Sequence, residues 1–233
     1  MLTIRHLILI SLTLATSACM TTNVEVPTTQ FPVPLMQKLP VRMGLFLPEE
    51  LRAYQFREDL GDAGTFEIEI GGAQETMFTN LLSGMFQEVV AVGNPDDFDT
   101  LADGVLVPRI AEMQFSTPQQ TRTDYFEVWI RYDLSLHSSD GTLLGQWPLT
   151  AYGKANTQNY LLATTTPALT QAALNACRDA MAFFTVQFQT IPAVQQWLLS
   201  ALSNRQAPAP TPDTAPTPAT SEQTGSAGNE AAT

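Results

Sequence analysis

Residues 124–137 alternate without a break. Phe126, Val128, Ile130, Tyr132, Leu134 and Leu136 fall on one side, and Tyr125, Glu127, Trp129, Arg131, Asp133 and Ser135 on the other. Successive side chains of a strand point to opposite faces, so this pattern predicts a long strand with one face in a core. Ser139-Asp140-Gly141-Thr142 follows. Asp-Gly favours a tight hairpin turn, because glycine adopts positive φ without steric cost. Residues 143–154 then return with Trp147, Leu149 and Ala151 on one face. A two-stranded hairpin is at best marginally stable in water, so the rest of the chain must supply more strands and a covering layer.

The remaining periodicities supply both. Residues 41–47 (VRMGLFL), ended by Pro48, read as a buried strand. Residues 49–64 read as a polar loop with room for one helical turn. Residues 65–70 alternate as a half-buried strand, broken by Gly71-Gly72. Over residues 73–92, Phe78, Leu81, Leu82, Met85, Phe86 and Val89 share one helical face. Residues 105–115 read as a strand whose Pro108 lacks an N–H, which suggests an edge or a bulge. Thr166 as cap and Pro167 at the first position open a helix to about residue 188. Its small residues Ala173, Ala176, Cys177 and Ala180 allow close approach to a sheet. Pro192 starts a last short helix through Trp197 and Leu202. This order predicts an α+β fold: a mixed, mostly antiparallel sheet of about five strands with two main helices packed on one face.

The flanks read differently. Residues 19–40 carry Pro27, Pro32, Pro34 and Pro40 and suggest an extended tether. Residues 204–233 carry five prolines, then Gly, Ser, Ala and Glu. With almost no apolar surface to bury, that segment is expected to be a disordered tail. The globular domain is expected over 41–203.

At the amino end, Arg5 precedes the apolar run 7–15 (LILISLTLA), then Thr16, Ser17, Ala18 and Cys19. A basic start, a short apolar stretch and small residues before a cleavage point define a secretory signal over 1–18. The run is shorter than the about 20 apolar residues needed to span a bilayer. Thr16-Ser17-Ala18-Cys19 resembles the lipobox of bacterial lipoproteins, with Thr16 where leucine is usual. The resemblance implies that Cys19 is diacylated on sulfur, with palmitate-type chains, and becomes the mature amino terminus. Ordinary cleavage after Ala18 is the alternative. Two acyl chains anchor stably where one binds only marginally. Met20, where the sorting rule of enteric bacteria reads Asp as retention, implies the periplasmic face of the outer membrane. The inner membrane is the alternative.

Charge and chemistry narrow the function. Asp plus Glu total 23 against 11 Lys plus Arg, a net −12. Such a surface repels phosphate backbones, so no nucleic-acid partner is expected. His137 is the one histidine beyond the leader, and it adjoins Ser138, Ser139 and Asp140. Contiguous in a turn, these cannot fold onto one another as a triad. The sequence contains no zinc-binding HExxH, phosphate loop, dinucleotide fingerprint or nucleophile elbow. With one histidine and one further cysteine, Cys177, neither a metal nor a cofactor is expected. Cys177 reads as a small core residue rather than a reactive thiol. Asp96, Asp97, Asp99 and Asp103 form the densest carboxylate cluster, but miss the EF-hand spacing and read as a solvated loop. Glu67, Glu69, Glu127 and Asp133 fall on outward strand faces. Tyr125, Trp129 and Arg131 lie opposite the core stripe of their strand. Aromatics with arginine are typical of interface hot spots, which makes these three the candidate partner-binding residues. The competing reading is that a helix covers this face.

VRMGLFLP as first strand, the helix over Phe78 and Val89, the strand GVLVPRI and the hairpin YFEVWIRYDLSLHSSDGTLLGQW together resemble a group of small periplasmic lipoprotein domains. The group includes penicillin-binding-protein activator lipoproteins, the amino-terminal domain of the Tol system's β-propeller protein and auxiliary lipoproteins of envelope transporters. The resemblance is one of pattern and transfers no functional residue. It implies a non-enzymatic interaction or assembly factor of the cell envelope, with the bilayer and an unidentified envelope protein as partners. The alternative is a transport-related lipoprotein that binds a lipid or small ligand between sheet and helices.

Overall fold

A computed structural model describes residues 21–94, 102–160 and 165–206. Its strands are β1 (Thr21–Glu25), β2 (Leu39–Phe46), β3 (Gln55–Asp59), β4 (Thr65–Glu69), β5 (Phe86–Val92), β6 (Gly104–Ser116), β7 (Tyr125–Ser138) and β8 (Leu143–Asn156). Its helices are α1 (Glu49–Arg52), α2 (Gly71–Met85), α3 (Pro118–Thr121), α4 (Thr165–Gln187) and α5 (Pro192–Gln206). The fold is α+β, as the element order predicts.

The hairpin β7–β8 is the spine. Phe126, Val128, Ile130, Tyr132, Leu134 and Leu136 are all buried, and β7 pairs with β8 antiparallel from Tyr125↔Asn156 to His137↔Leu143. Gly141 closes the turn at φ 83°, and Ser138 donates its backbone N–H to the Thr142 carbonyl at 2.9 Å. The sheet grows outward from β7 in the order β5-β2-β6-β7-β8. β6 pairs antiparallel with β7, whereas β2 is parallel to both β6 and β5. Both signals read from Pro108 are present. The β2 pairing of β6 ends at Leu106, and the β6–β7 register shifts between Ile110 and Glu112.

All the long helices pack on one face. α4 lies over β7 and β8, α2 lies against β2 and β5, and α5 touches β2 and β8. α5 is tied down by Asp103, the residue before β6. The Asp103 carbonyl accepts the Trp197 indole N–H at 2.9 Å. Its carboxylate accepts the Arg42 backbone N–H at 2.7 Å and the Arg205 guanidinium at 2.6 Å.

Four expectations need correction. First, the tether does not extend over residues 21–40. Thr21–Glu25 pairs in parallel with β4 in a separate three-stranded sheet, order β1-β4-β3, and Val24, Val26 and Phe31 are buried. Arg178 on α4 donates to the Gln30 carbonyl at 2.8 and 3.0 Å, and Asn80 on α2 donates to the Phe31 carbonyl at 2.8 Å. Of the prolines, Pro27 precedes a short 3-10 turn at Thr28–Gln30, and Pro40 lies within β2. Second, the polar loop 49–64 contains β3, which pairs with β4. Third, the helix expected over 73–92 ends at Met85, and Phe86–Val92 is a strand. Val89, Val90 and Val92 are β-branched and favour extended backbone, and this outweighed the helical spacing of Phe86 and Val89. Fourth, α5 runs through Gln206, past the boundary expected at 203, and its Arg205 pairs with Asp103.

Candidate functional site

The far face of the sheet, away from α2, α4 and α5, carries the residues singled out in the sequence. β7 holds them there by alternation. With Ile130 and Tyr132 fully buried in the core, Trp129 is left half-buried and Arg131 exposed on the opposite side. None of the long helices crosses β7 and β8 on this side, so the covering-helix reading does not hold among the described residues.

Cross-strand pairing organises the face. Trp129 stands opposite Tyr152, and their rings lie 5.2 Å apart between centroids at 41°. The Tyr152 hydroxyl donates to the Glu127 carboxylate at 2.6 Å. Desolvation, then the bond to Glu127, push the Tyr152 phenol up to about 12. Arg131 stands opposite Glu112, and the two pair at 3.4 Å; Gln114 donates to Glu112 at 2.5 Å. Between them lies a shallow depression of about 360 Å³ lined by Glu112, Gln114, Ser116, Trp129, Arg131 and Thr150. Tyr125 is on the same face but outside the depression, near one end of the strand, with the Lys154 ammonium 4.9 Å from its ring centroid. The face therefore joins Trp129 to Arg131 and leaves Tyr125 apart. Sequence reading missed Tyr152, Glu112 and Gln114. The β7–β8 register shifts between Leu136 and His137, so counting along a regular ladder from His137↔Leu143 would set Ala151, and not Tyr152, opposite Trp129.

The other candidates resolve into structural roles. His137 shares hydrogen bonds with the Gly141 carbonyl at 3.1 Å and the Ser135 hydroxyl at 3.2 Å. Ser138 donates to Asp140, holding its carboxyl down at about 2. These are turn contacts. Glu67 pairs with Arg57, and Glu69 accepts from Gln55, both on the three-stranded sheet and apart from Glu127. Asp96, Asp97 and Asp99 lie outside the described residues, as does Cys19; Asp103 serves the α5 clamp. Among the described residues no group of three potential metal ligands converges.

Cys177 sits in the core beside a buried polar pair. The Tyr132 hydroxyl donates to Gln74 at 3.0 Å, and Gln74 donates weakly to the Cys177 sulfur at 3.7 Å. Burial pushes the Cys177 thiol up to about 12. The thiol is therefore protonated at neutral pH and shielded, while thiolate is the reactive form. A maleimide reagent is expected to leave Cys177 unmodified in the folded protein at pH 7–8 and to modify it fully in denaturant. Rapid labelling of the native protein, read by mass spectrometry, would count against the buried assignment.

The fold and site thus define an α+β protein with a five-stranded and a three-stranded sheet, in which Trp129, Tyr152 and Arg131 share the side of β7 and β8 that no long helix crosses among the described residues. No family model matches the chain, and no curated protein matches it. It is similar to three solved structures among others. One is a minor lipoprotein from Acinetobacter baumannii, 16% identical, with TM-score 0.32, over 74% of this chain and 96% of that one. Another is a proposed lipoprotein from Caulobacter crescentus, 12% identical, with TM-score 0.35, over 55% and 83%. The third is a proposed homologue of neuraminyllactose-binding hemagglutinin from Helicobacter pylori, 10% identical, with TM-score 0.41, over 77% and 100%. Likenesses this distant say nothing of activity, which must be read from the chain's own residues.

Proposed function

We propose that this chain is a lipid-anchored protein of the bacterial cell envelope, on the periplasmic face of the outer membrane. In this reading it acts as an interaction or assembly factor and not as an enzyme. The observation that carries it is the helix-free side of β7 and β8, where Trp129 and Tyr152 make a tilted ring contact beside Arg131. A broad, shallow surface of aromatic rings and a guanidinium suits a protein partner better than a small molecule, which favours deep concave sites. The alternative, a lipid or small ligand held between sheet and helices, needs space there. At the centre of that interface, the gap bounded by Phe78, Leu81, Tyr132, Leu149, Ala180 and Phe184 has no room for even a water molecule, which leaves such a ligand only the depression at the β5 edge, between Leu45 and Val89 of the sheet and Thr79 and Ser83 of α2.

The anchor rests on the apolar run 7–15 ending in Thr16-Ser17-Ala18-Cys19. No described helix is long and apolar enough to cross a membrane. Acyl chains contribute about 0.8 kcal/mol per buried methylene, enough for two of them to hold the protein at a bilayer. Cells fed a fatty-acid analogue are expected to label the wild-type protein and leave Cys19→Ala unlabelled. The variant should also shift from the membrane to the soluble fraction. Equal labelling of the two proteins would remove the anchor from this reading.

A further inference from the structure

The two edges of the five-stranded sheet are treated differently. An edge strand presents unpaired N–H and C=O groups that can template pairing with another strand, and proteins commonly block such edges. β8 is blocked. The Tyr152 N–H donates to the Asp179 carboxylate at 2.9 Å, and the Lys154 carbonyl accepts from the Asn175 amide at 3.0 Å, both partners reaching round from α4. The register is regular here, so by the two-residue alternation Pro148 also faces outward and offers no donor.

β5, the opposite edge, has no such guard among the described residues. Phe86-Gln87-Glu88-Val89-Val90-Ala91-Val92 contains no proline, and only its β2 side is paired. Beside it runs a depression of about 330 Å³ lined by Lys38, Leu45, Thr79, Ser83, Val89 and Ala91. Among the described residues, β5 carries one carboxylate, Glu88, and its charge is met. Glu88 is paired with Arg42 at 2.8 Å, and Lys38 lies at the rim.

We propose that β5 is a self-association edge whose occupant is β5 of a second copy. The strands would run antiparallel about a twofold axis at Val89, joining two sheets into one of ten strands. Isologous twofold pairing is the commonest form of homo-oligomer. This register sets Val89 against Val89, Glu88 against Val90 and Gln87 against Ala91 of the other copy, so no charge faces a like charge. The two valines at the axis stand side by side on the face that carries the depression. Tail residues 207–218 fit poorly as a competing occupant, since their five prolines lack the N–H groups that a ladder needs.

The test uses the full-length chain in detergent, followed by sedimentation velocity. Gln87 and Ala91 are exposed, so substitutions there spare the fold. The wild type is expected to sediment as a concentration-dependent dimer. Gln87→Lys with Ala91→Lys sets two like-charge pairs across the axis and should raise the dimer dissociation constant about tenfold or more. Gln87→Lys with Ala91→Glu sets opposite charges there and should restore the dimer. A wild type that stays monomeric at every concentration overturns the proposal. So does a dimer indifferent to the double-lysine variant.

Discussion

Gly153→Ala is expected to be among the most damaging single-methyl additions in this protein. Gly153 lies on β8 with α4 directly over it. A Cβ built there stands 2.2 Å from the Ala172 carbonyl oxygen and 2.2 Å from the Ala176 backbone nitrogen. Both are helix backbone atoms and cannot rotate away as a side chain could. The helix must therefore lift off the strand. That would also strain the Asn175 and Asp179 bonds to β8. It would loosen Ala172, Ala173, Ala176 and Cys177, all fully buried at this contact. Overpacking a core commonly costs 1–3 kcal/mol, and a clash with rigid backbone belongs at the upper end, about 3 kcal/mol or more. Gly72→Ala is the control. Its Cβ meets nothing, and the helical position should gain up to about 1 kcal/mol. Urea melts of the two variants measure both effects. A Gly153→Ala protein within about 1 kcal/mol of wild type would mean that α4 and β8 do not meet at this point.

This contact also marks how far the sequence can be read. The small residues of α4 announce that the helix approaches something closely, but they do not name Gly153. Which strand lies beneath a helix depends on long-range packing. The hairpin was legible because its period-two pattern runs through fourteen residues and its turn carries Asp140-Gly141. The order of the sheet was not. β5, β2 and β6 join in parallel over long connections, and nothing local encodes such pairing. The strand 65–70 was read correctly as a strand but belongs to the smaller sheet, where β1, expected in the tether, lies beside it. Short segments such as Thr21–Glu25 carry too few residues for a period to declare itself, and the nearby prolines pointed the other way.

The site divides along the same line. Trp129 and Arg131 were readable because they alternate with the core stripe. Glu112 was not. The register of β6 on β7 shifts between Ile110 and Glu112, so counting residues along a regular ladder would not bring Glu112 opposite Arg131. A bulge adds a residue that only the paired strands reveal.

The two faces of β7 should separate stability from recognition. Ile130 is fully buried within the main core, and Ile130→Ala should cost about 2–5 kcal/mol through lost burial and the cavity left behind. Trp129, its neighbour in sequence, is half-buried on the helix-free side, and its ring contact there is with Tyr152. Trp129→Ala should cost about 1 kcal/mol, the scale of one aromatic pair, and not the 3–5 kcal/mol of a buried tryptophan. If that face meets an envelope partner, the same substitution should sharply weaken capture of the partner from detergent-solubilised envelopes, since central aromatics carry a large share of interface energy. Trp129→Phe should keep most of that capture by preserving a ring against Tyr152. Comparing the melts with quantitative recovery of the same captured protein distinguishes the roles. Large stability losses from both Ile130→Ala and Trp129→Ala would show the far face to be covered, and would take the proposed partner surface away. Undiminished capture by a stably folded Trp129→Ala protein would move the interaction off this sheet face altogether.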